Sequence, residues 1–145
     1  MTEAPRVGTA QLMELLSVSL GVYYGDFTVA AASENLTASQ GKALTVLRRG
    51  GPAAMRALAE TMTCDASNMT GIIDRLEKRG LVRREAGASD RRVKYVILTA
   101  EGERVTDAIR AKMRTTQEGL DRLNEQDRDA LYTLLERVFV TLPAA

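Results

Sequence analysis

One polar stretch of this sequence carries most of the side chains that could contact another molecule through hydrogen bonds and charge. Between Asp65 and Gly80, short donors and acceptors alternate with cations around a set of apolar positions. The polar positions are Ser67, Asn68, Thr70, Gly71, Asp74, Arg75 and Lys78. Base edges and phosphates in the major groove of DNA are recognised by side chains of these types on a helix. The stretch therefore points to nucleic-acid binding.

The residues required for most enzyme and metal chemistry are missing. None of the 145 residues is His, and Cys64 is the single cysteine. These counts exclude His-dependent catalysis, most zinc sites and an internal disulfide. Gly50, Gly51 and Pro52 fit neither of the glycine motifs that cradle phosphates. We expect a protein that is not an enzyme and that uses no cofactor or metal.

Apolar spacing predicts that the polar stretch is a helix. Its apolar side chains recur at intervals of three and four residues and would form one buried stripe opposite the polar positions. The stripe consists of Met69, Ile72, Ile73 and Leu76. Asp65 is placed to cap the start of this helix, and Gly80 can adopt the left-handed conformation that ends it.

Two β-prone runs follow, at 81–86 and 93–99, with Gly, Ser and Asp residues between them. This pattern predicts a β-hairpin. Arg91 and Arg92 lie just before the second run, so the hairpin would hold two cations away from the body of the protein. A helix with a polar face followed by a hairpin with a cationic tip is typical of a winged helix-turn-helix.

The rest of the chain predicts a mainly α-helical fold around this small hairpin wing. Thr37 and Gln40 form a capping box, and a short helix then leads through Cys64 into the polar helix. After the hairpin, a long helix is predicted from Thr99 to Leu123.

Helices are also predicted at both ends of the chain. Residues 11–32 carry apolar side chains on most of the helix circumference, and a last helix has an apolar stripe that reaches Leu142. We expect residues 37–99 to be a DNA-binding domain, and residues 1–36 and 100–145 to form a helical dimerisation region. A dimer presents two recognition helices to one duplex.

The distribution of charge agrees with this division. From Lys42 to Lys94 there are twelve cationic side chains and six carboxylates, a local charge of +6, whereas the remainder carries eight and thirteen, a charge of −5. A basic middle is the footprint of a nucleic-acid module, although a chance scatter of surface charge would look the same. We expect no apolar run long enough to span a membrane, and residues 1–21 lack the order of a signal peptide, so we expect a cytoplasmic protein.

Four short motifs follow one another along the chain. They are L-T-x-x-Q from Leu36, M-T-x-x-x-D-R-L-E-K-R-G-L-V from Met69, D-R-R from Asp90 and L-T-x-x-G from Leu98. Each motif is modest alone, but their order and spacing are specific. On these motifs the sequence resembles the MarR family of bacterial transcription regulators over nearly its whole length.

The resemblance implies six helices with a hairpin between the fourth and fifth, a homodimer, and binding to a palindromic operator that a small ligand or an oxidant releases. It places Ser67, Asn68 and Thr70 on bases or phosphates and Arg75 on the DNA backbone. It also places Arg92 in the minor groove, held by a salt bridge from Asp90, with Arg91 beside it in the wing. Many relatives carry a larger residue where this chain has Gly71, which removes one expected base contact.

Several alternatives remain open from the sequence. Tyr23, Tyr24 and Phe27 could line a cleft for a small aromatic or amphipathic ligand, or could be core residues. Cys64 lies at a helix start near Arg56, where it could be redox-active, or it could be a small buried side chain. The whole module could also bind a protein partner without specific DNA binding. We favour a dimeric operator-binding regulator, most often a repressor in such proteins, released by a ligand.

Overall fold

The computed structural model describes residues 6–140. Within this range the chain forms helices and short strands, and it divides into two compact units, with the division between Met113 and Arg114. In chain order the elements are α1 (Thr9–Ser33), α2 (Ala38–Gly50), β1 (Ala53–Ala54), α3 (Met55–Thr61), α4 (Ala66–Lys78), β2 (Val82–Ala86), β3 (Lys94–Leu98), α5 (Ala100–Lys112), α6 (Arg114–Asp121) and α7 (Glu125–Phe139). The fold is mainly α-helical with a small antiparallel sheet, as the sequence predicted.

Side chains cap the starts of several helices, including the predicted capping box at Thr37. The hydroxyl of Thr37 accepts a hydrogen bond from the backbone N–H of Gln40 at 3.2 Å, and the side-chain oxygen of Gln40 accepts one from the backbone N–H of Thr37 at 3.0 Å. Thr99 and Asn124 cap α5 and α7 with bonds of 3.1 and 2.8 Å. Each cap satisfies a backbone donor that the first helical turn leaves free.

Helices α1, α3 and α4 each end in the same type of turn. In each, a residue with positive φ lies two positions after the last helical residue, and its N–H and that of the next residue bond back to carbonyls of the final turn. The left-handed residue is Asn35 (φ 57°), Thr63 (φ 53°) and Gly80 (φ 72°), respectively. Gly80 is confirmed as the end of the polar helix, whereas Thr63 is a β-branched residue in a conformation that favours glycine.

The predicted hairpin is confirmed, and it belongs to a slightly larger sheet. Strands β2 and β3 pair antiparallel with Arg84 opposite Val96. Strand β1 pairs with the other edge of β3, so the strand order is β1-β3-β2. The sequence did not predict β1, because two alanines carry no alternating pattern and the strand forms only where β3 offers an unpaired edge.

The core of the first unit extends beyond the predicted DNA-binding domain. Phe27 and Ala31 of α1 and Val105 and Ile109 of α5 are buried together with the apolar stripe of α4. At Gly102 of α5 a side chain would overlap the carbonyl oxygen of Leu81, so the first turn of α5 lies directly against the connection between α4 and β2. The functional division at residues 37 and 99 stays a prediction.

The long helix predicted after the hairpin is interrupted. Helix α5 ends at Lys112 and α6 begins at Arg114, with Met113 between them at φ −76° and ψ 65°. The N–H of Met113 bonds to the Arg110 carbonyl at 3.2 Å, a tightened last turn. Neither Gly nor Pro marks this break, and the apolar spacing continues across it. Leu142 lies outside the described residues.

Helix α1 exposes an unusual amount of apolar surface. Large apolar side chains that are at least half exposed include Leu12, Met13, Leu15, Val18, Leu20, Val22 and Val29. Within the described part of the chain, α1 is long and apolar enough to cross a membrane by length and composition alone. The expectation that no segment is long and apolar enough is therefore wrong. Helix α1 has 25 residues, and its charged side chains are Glu14 and Asp26 alone. The same helix buries Phe27, Ala30 and Ala31 in a protein core.

Candidate nucleic-acid interface

The polar face of α4 begins with a charged cap. One carboxylate oxygen of Asp65 accepts the backbone N–H of Asn68 at 2.7 Å and the hydroxyl of Ser67 at 2.8 Å. These bonds, the one from the Asn68 backbone first, lower the pKa of Asp65 below its ordinary value. The cap therefore remains ionised at neutral pH and fixes the first turn of the helix.

The cap decides what the predicted base-contacting side chains can offer. Ser67 donates its proton to Asp65, and the hydroxyl of Thr70 donates to the Ala66 carbonyl at 2.9 Å. Both oxygens therefore keep lone pairs that can accept from base amino groups. The exposed side-chain amide of Asn68 makes no hydrogen bond with another described residue, so it can both donate and accept. The three side chains lie together on the exposed first turns of α4.

The cations of α4 differ in how far they are engaged. Arg75 and Lys78 are exposed, and neither side chain forms an ion pair or hydrogen bond among residues 6–140. Asp74 lies on the same predicted face, but its carboxylate is bound by Arg84 of β2 at 2.6 Å. The free cations are the groups of this helix best suited to phosphates.

Arg84 joins the hairpin to the polar helix. Its guanidinium also binds Glu77 at 2.7 Å, and its backbone N–H donates to the same carboxylate at 3.0 Å. Burial opposes the charge of Arg84, but the bonds to Asp74 and Glu77 outweigh burial and raise the pKa of Arg84 above its ordinary value. The sequence analysis missed this contact. The only sign of this contact in the sequence was the spacing of Asp74 and Glu77, which places two carboxylates one helical turn apart on α4.

The hairpin loop holds its cations differently from the prediction. Asp90 accepts the backbone N–H of Arg92 at 2.9 Å, and no ion pair joins the two side chains. The predicted salt bridge is therefore wrong for this structure: an aspartate readily bonds the N–H two residues onward in a turn. The loop is also tight at Gly87, where a Cβ atom would lie 2.8 Å from the Asp90 carbonyl oxygen. Within the described residues, the exposed guanidinium groups of Arg91 and Arg92 are free of ion pairs.

The three predicted ligand-cleft residues are not equivalent. Tyr23 and Tyr24 are exposed, with ring centroids 5.8 Å apart in an edge-to-face arrangement. Phe27 is only 6% exposed, and its ring lies so close to Gly41 that a Cβ atom there would be 3.1 Å away. The structure thus brings two of the three side chains to the surface and leaves Phe27 in the core.

Cys64 is half-buried against the core, at the corner between α3 and α4. It lines an open groove of about 890 Å³ whose other walls include Met55, Ala59 and Thr70. Arg56, which the sequence placed near the thiol, is paired with Glu60 at 3.3 Å. At the start of α4, the backbone N–H of Asn68 is bonded to the Asp65 carboxylate rather than offered to a thiolate. Among residues 6–140, no group of three or more side chains suited to a metal ion is present.

Comparison with known proteins gives a consistent result. A sequence profile described as MarR family matches residues 36–94. The repressor NicR of Pseudomonas putida is 30% identical over 131 residues, which cover 90% of this chain and 83% of that one. The transcriptional regulator HosA of Escherichia coli O127:H6 is 36% identical over 86 residues, 59% of this chain. This last match spans 64% of HosA, slightly less than two thirds of its length.

The structural comparison extends over nearly the whole chain. The solved structure of BpsR from Bordetella bronchiseptica, described as regulated in its DNA binding by 6-hydroxynicotinic acid, superposes with a TM-score of 0.68. It is 25% identical and covers 96% of this chain and 100% of its own. The helices outside the profile match are therefore shared with such regulators as well.

Proposed function

Because the chain belongs to the MarR family of transcription regulators, which bind DNA and are not enzymes, we propose that it is a homodimeric repressor of a palindromic operator. The observation that carries this proposal is the set of free cations beside the polar first turns of α4 and at the tip of the hairpin. Positive charge beside an exposed recognition helix supplies phosphate affinity and base readout together. A protein-interaction module would call for an apolar exposed face at α4.

The residue roles follow from the groups that remain available. Ser67, Asn68 and Thr70 read base edges, the two hydroxyls as acceptors and the amide in both senses. Arg75 binds a phosphate. Asp90 keeps the loop closed through the Arg92 backbone, and this leaves the guanidinium of Arg92 to enter the minor groove, with Arg91 beside it.

The dimer is supported by apolar surface at both ends of the chain. In addition to α1, helix α7 exposes large apolar side chains such as Tyr132, Leu134 and Phe139. Monomeric soluble proteins rarely expose large apolar patches, and α1 and α7 each expose several large apolar side chains. We assign residues 1–36 and 100–145 to dimerisation and 37–99 to DNA contact, in a protein that works in the cytoplasm.

Release from DNA is proposed to follow binding of a small aromatic or amphipathic molecule near Tyr23 and Tyr24, with Phe27 forming the floor of that region. BpsR, described as regulated by an aromatic acid, supports this chemical class. A ligand releases DNA only if it binds the DNA-incompetent dimer more tightly than the competent one.

The test is binding to the DNA upstream of the protein's own gene at several salt concentrations. Arg92→Ala should weaken binding by about 1–3 kcal/mol, whereas Arg110→Ala, the loss of an exposed cation on α5, should have little effect. Arg75→Ala should weaken all sequences alike and flatten the salt dependence, because a phosphate contact carries no sequence information. Equal affinity of the Arg92→Ala and wild-type proteins would contradict the wing assignment.

Oxidation of Cys64 is the alternative switch, since the thiol lines the open groove at the start of α4. The chain offers no second cysteine to form a disulfide with it. Peroxide should therefore release the operator from wild type and from Cys64→Ser to the same extent. Release from wild type alone would identify a redox sensor instead.

A further inference from the structure

Arg79 follows the last residue of α4 and precedes Gly80, and its side chain reaches across to the end of α1. One terminal guanidinium nitrogen donates to the Asn35 carbonyl at 2.9 Å, and the other donates to the Glu34 carbonyl at 3.0 Å. Both carbonyls belong to the turn that ends α1. The guanidinium therefore joins the C-terminal ends of two helices that are far apart in sequence.

The chemistry of this contact favours arginine specifically. The last carbonyls of a helix lack intrahelical partners and carry the negative end of the helix dipole. A planar guanidinium can satisfy two such oxygens at once in a fixed geometry, whereas an ammonium group acts as a single, freely rotating point charge. The contact consequently constrains direction as well as distance.

An ion pair strengthens the same junction. The carboxylate of Glu34, only 16% exposed, binds Lys112 at the end of α5 at 2.8 Å. The last turns of α1, α4 and α5 thus meet around Glu34. Two neighbouring cations on α4 therefore have different tasks: Lys78 is unengaged among the described residues and Arg79 is held by α1.

We propose that Arg79 is a positioning residue that fixes the recognition helix relative to α1, and so sets the half-site spacing that the dimer accepts. This inference rests on the proposed function, since it takes α1 as part of the dimer and α4 as the reading helix. Two recognition helices can fit successive major grooves only at a defined separation. A guanidinium that ties each of them to the dimer helix controls that separation without touching DNA.

The first arm of the test needs no DNA. In a Cys64→Ser background, spin labels on Thr28→Cys of α1 and Asn68→Cys of α4 report the distance between the two helices. Labelled chains are diluted into unlabelled protein so that only distances within one chain are measured. Arg79→Met should broaden the distance distribution, and Lys78→Met should leave it unchanged. An equally narrow distribution in Arg79→Met overturns the positioning role.

The second arm measures spacing preference. The protected site upstream of the protein's own gene is compared with versions that have one base pair inserted or deleted between the half-sites. The preference of Arg79→Met for the natural spacing should fall by about tenfold relative to wild type, as expected for two lost hydrogen bonds. Lys78→Met should bind all three duplexes more weakly while keeping the preference. An unchanged preference in Arg79→Met overturns the spacing role.

Arg79→Lys separates positioning from folding, because it retains the charge but places all of its donors on one nitrogen. It should fold like wild type by circular dichroism and show a spacing preference between those of wild type and Arg79→Met. Absence of any protected site with wild-type protein would overturn the proposed function, and the spacing role with it. The distance arm would still decide whether Arg79 positions α4.

Discussion

Gly71 lies in the middle of α4, and a Cβ atom built there would meet no heavy atom within 4 Å. Glycine in a helix interior is destabilising because it loses more backbone freedom on folding than other residues. Gly71→Ala should therefore raise the free energy of unfolding by about 0.5–1 kcal/mol, as measured by urea denaturation. Operator affinity should change little, since alanine adds no polar group to the face.

Gly102 provides the matched control for this substitution. A Cβ atom there would overlap the Leu81 carbonyl oxygen and lie 2.7 Å from Cδ1 of Leu98. Gly102→Ala should consequently lower the free energy of unfolding, by about 1–3 kcal/mol as for other overpacked sites. A stabilised Gly102→Ala protein, or a destabilised Gly71→Ala protein, would contradict the packing described for these helices.

The polar side chains of α4 were predictable from the sequence because helical periodicity alone assigns each position to a face. Their hydrogen bonds were only partly predictable. The Asp65 cap spans three residues, so local geometry dictates it. The ion pair of Arg84 with Asp74 depends on how the hairpin folds back onto the helix. The bond from Asp90 to the Arg92 backbone replaced a salt bridge that was equally compatible with the sequence.

At the scale of elements, three helices use one type of ending with different residues. Asn35 adopts the left-handed conformation at the end of α1, and Thr63 adopts it at the end of α3. A β-branched side chain is crowded in this conformation, whereas an asparagine tolerates it. The corner between the two helices of the helix-turn-helix therefore stores strain that the end of α1 does not.

Exchanging these residues tests that difference. Thr63→Asn should raise the free energy of unfolding by about 1 kcal/mol, because the left-handed conformation costs a residue with a Cβ about 1–2 kcal/mol and the short polar side chain of asparagine offsets part of that cost. Asn35→Thr should lower it by a similar amount. Both values can be obtained from urea denaturation followed by circular dichroism. Equal stability of the two variants and wild type would show that Thr63 is unstrained.

The elements that the sequence failed to predict share a physical cause. Strand β1 is two alanines long and exists through its pairing with β3. The break at Met113 falls within an uninterrupted apolar pattern, and the buried Met113 side chain lies in the core while the helix that follows is largely exposed. Capping residues and turns act within a few residues, whereas both of these features depend on tertiary contacts.

At the scale of the whole molecule, the apolar surface of α1 needs a covering. Its length and composition would also suit a membrane helix, but its last turns are packed into a core with α2 and α5. A second copy of the chain can cover the exposed part and leave this packing intact. This is consistent with a family whose members act as dimers.

The dimer should therefore be disrupted by charge on the exposed side of α1. Leu15 is 62% exposed in the isolated chain, so Leu15→Glu should fold but bury an unpaired carboxylate on association. Because an unpaired buried ion costs several kcal/mol, the dissociation constant of the dimer should rise by at least about 100-fold. Sedimentation at micromolar concentration should show dimeric wild type and monomeric Leu15→Glu. Ala57→Glu, which adds the same charge to an exposed position of α3 outside the residues assigned to dimerisation, should remain dimeric. A monomeric wild-type protein, or one that associates with lipid vesicles instead of with itself, would contradict the assignment of α1 to the dimer.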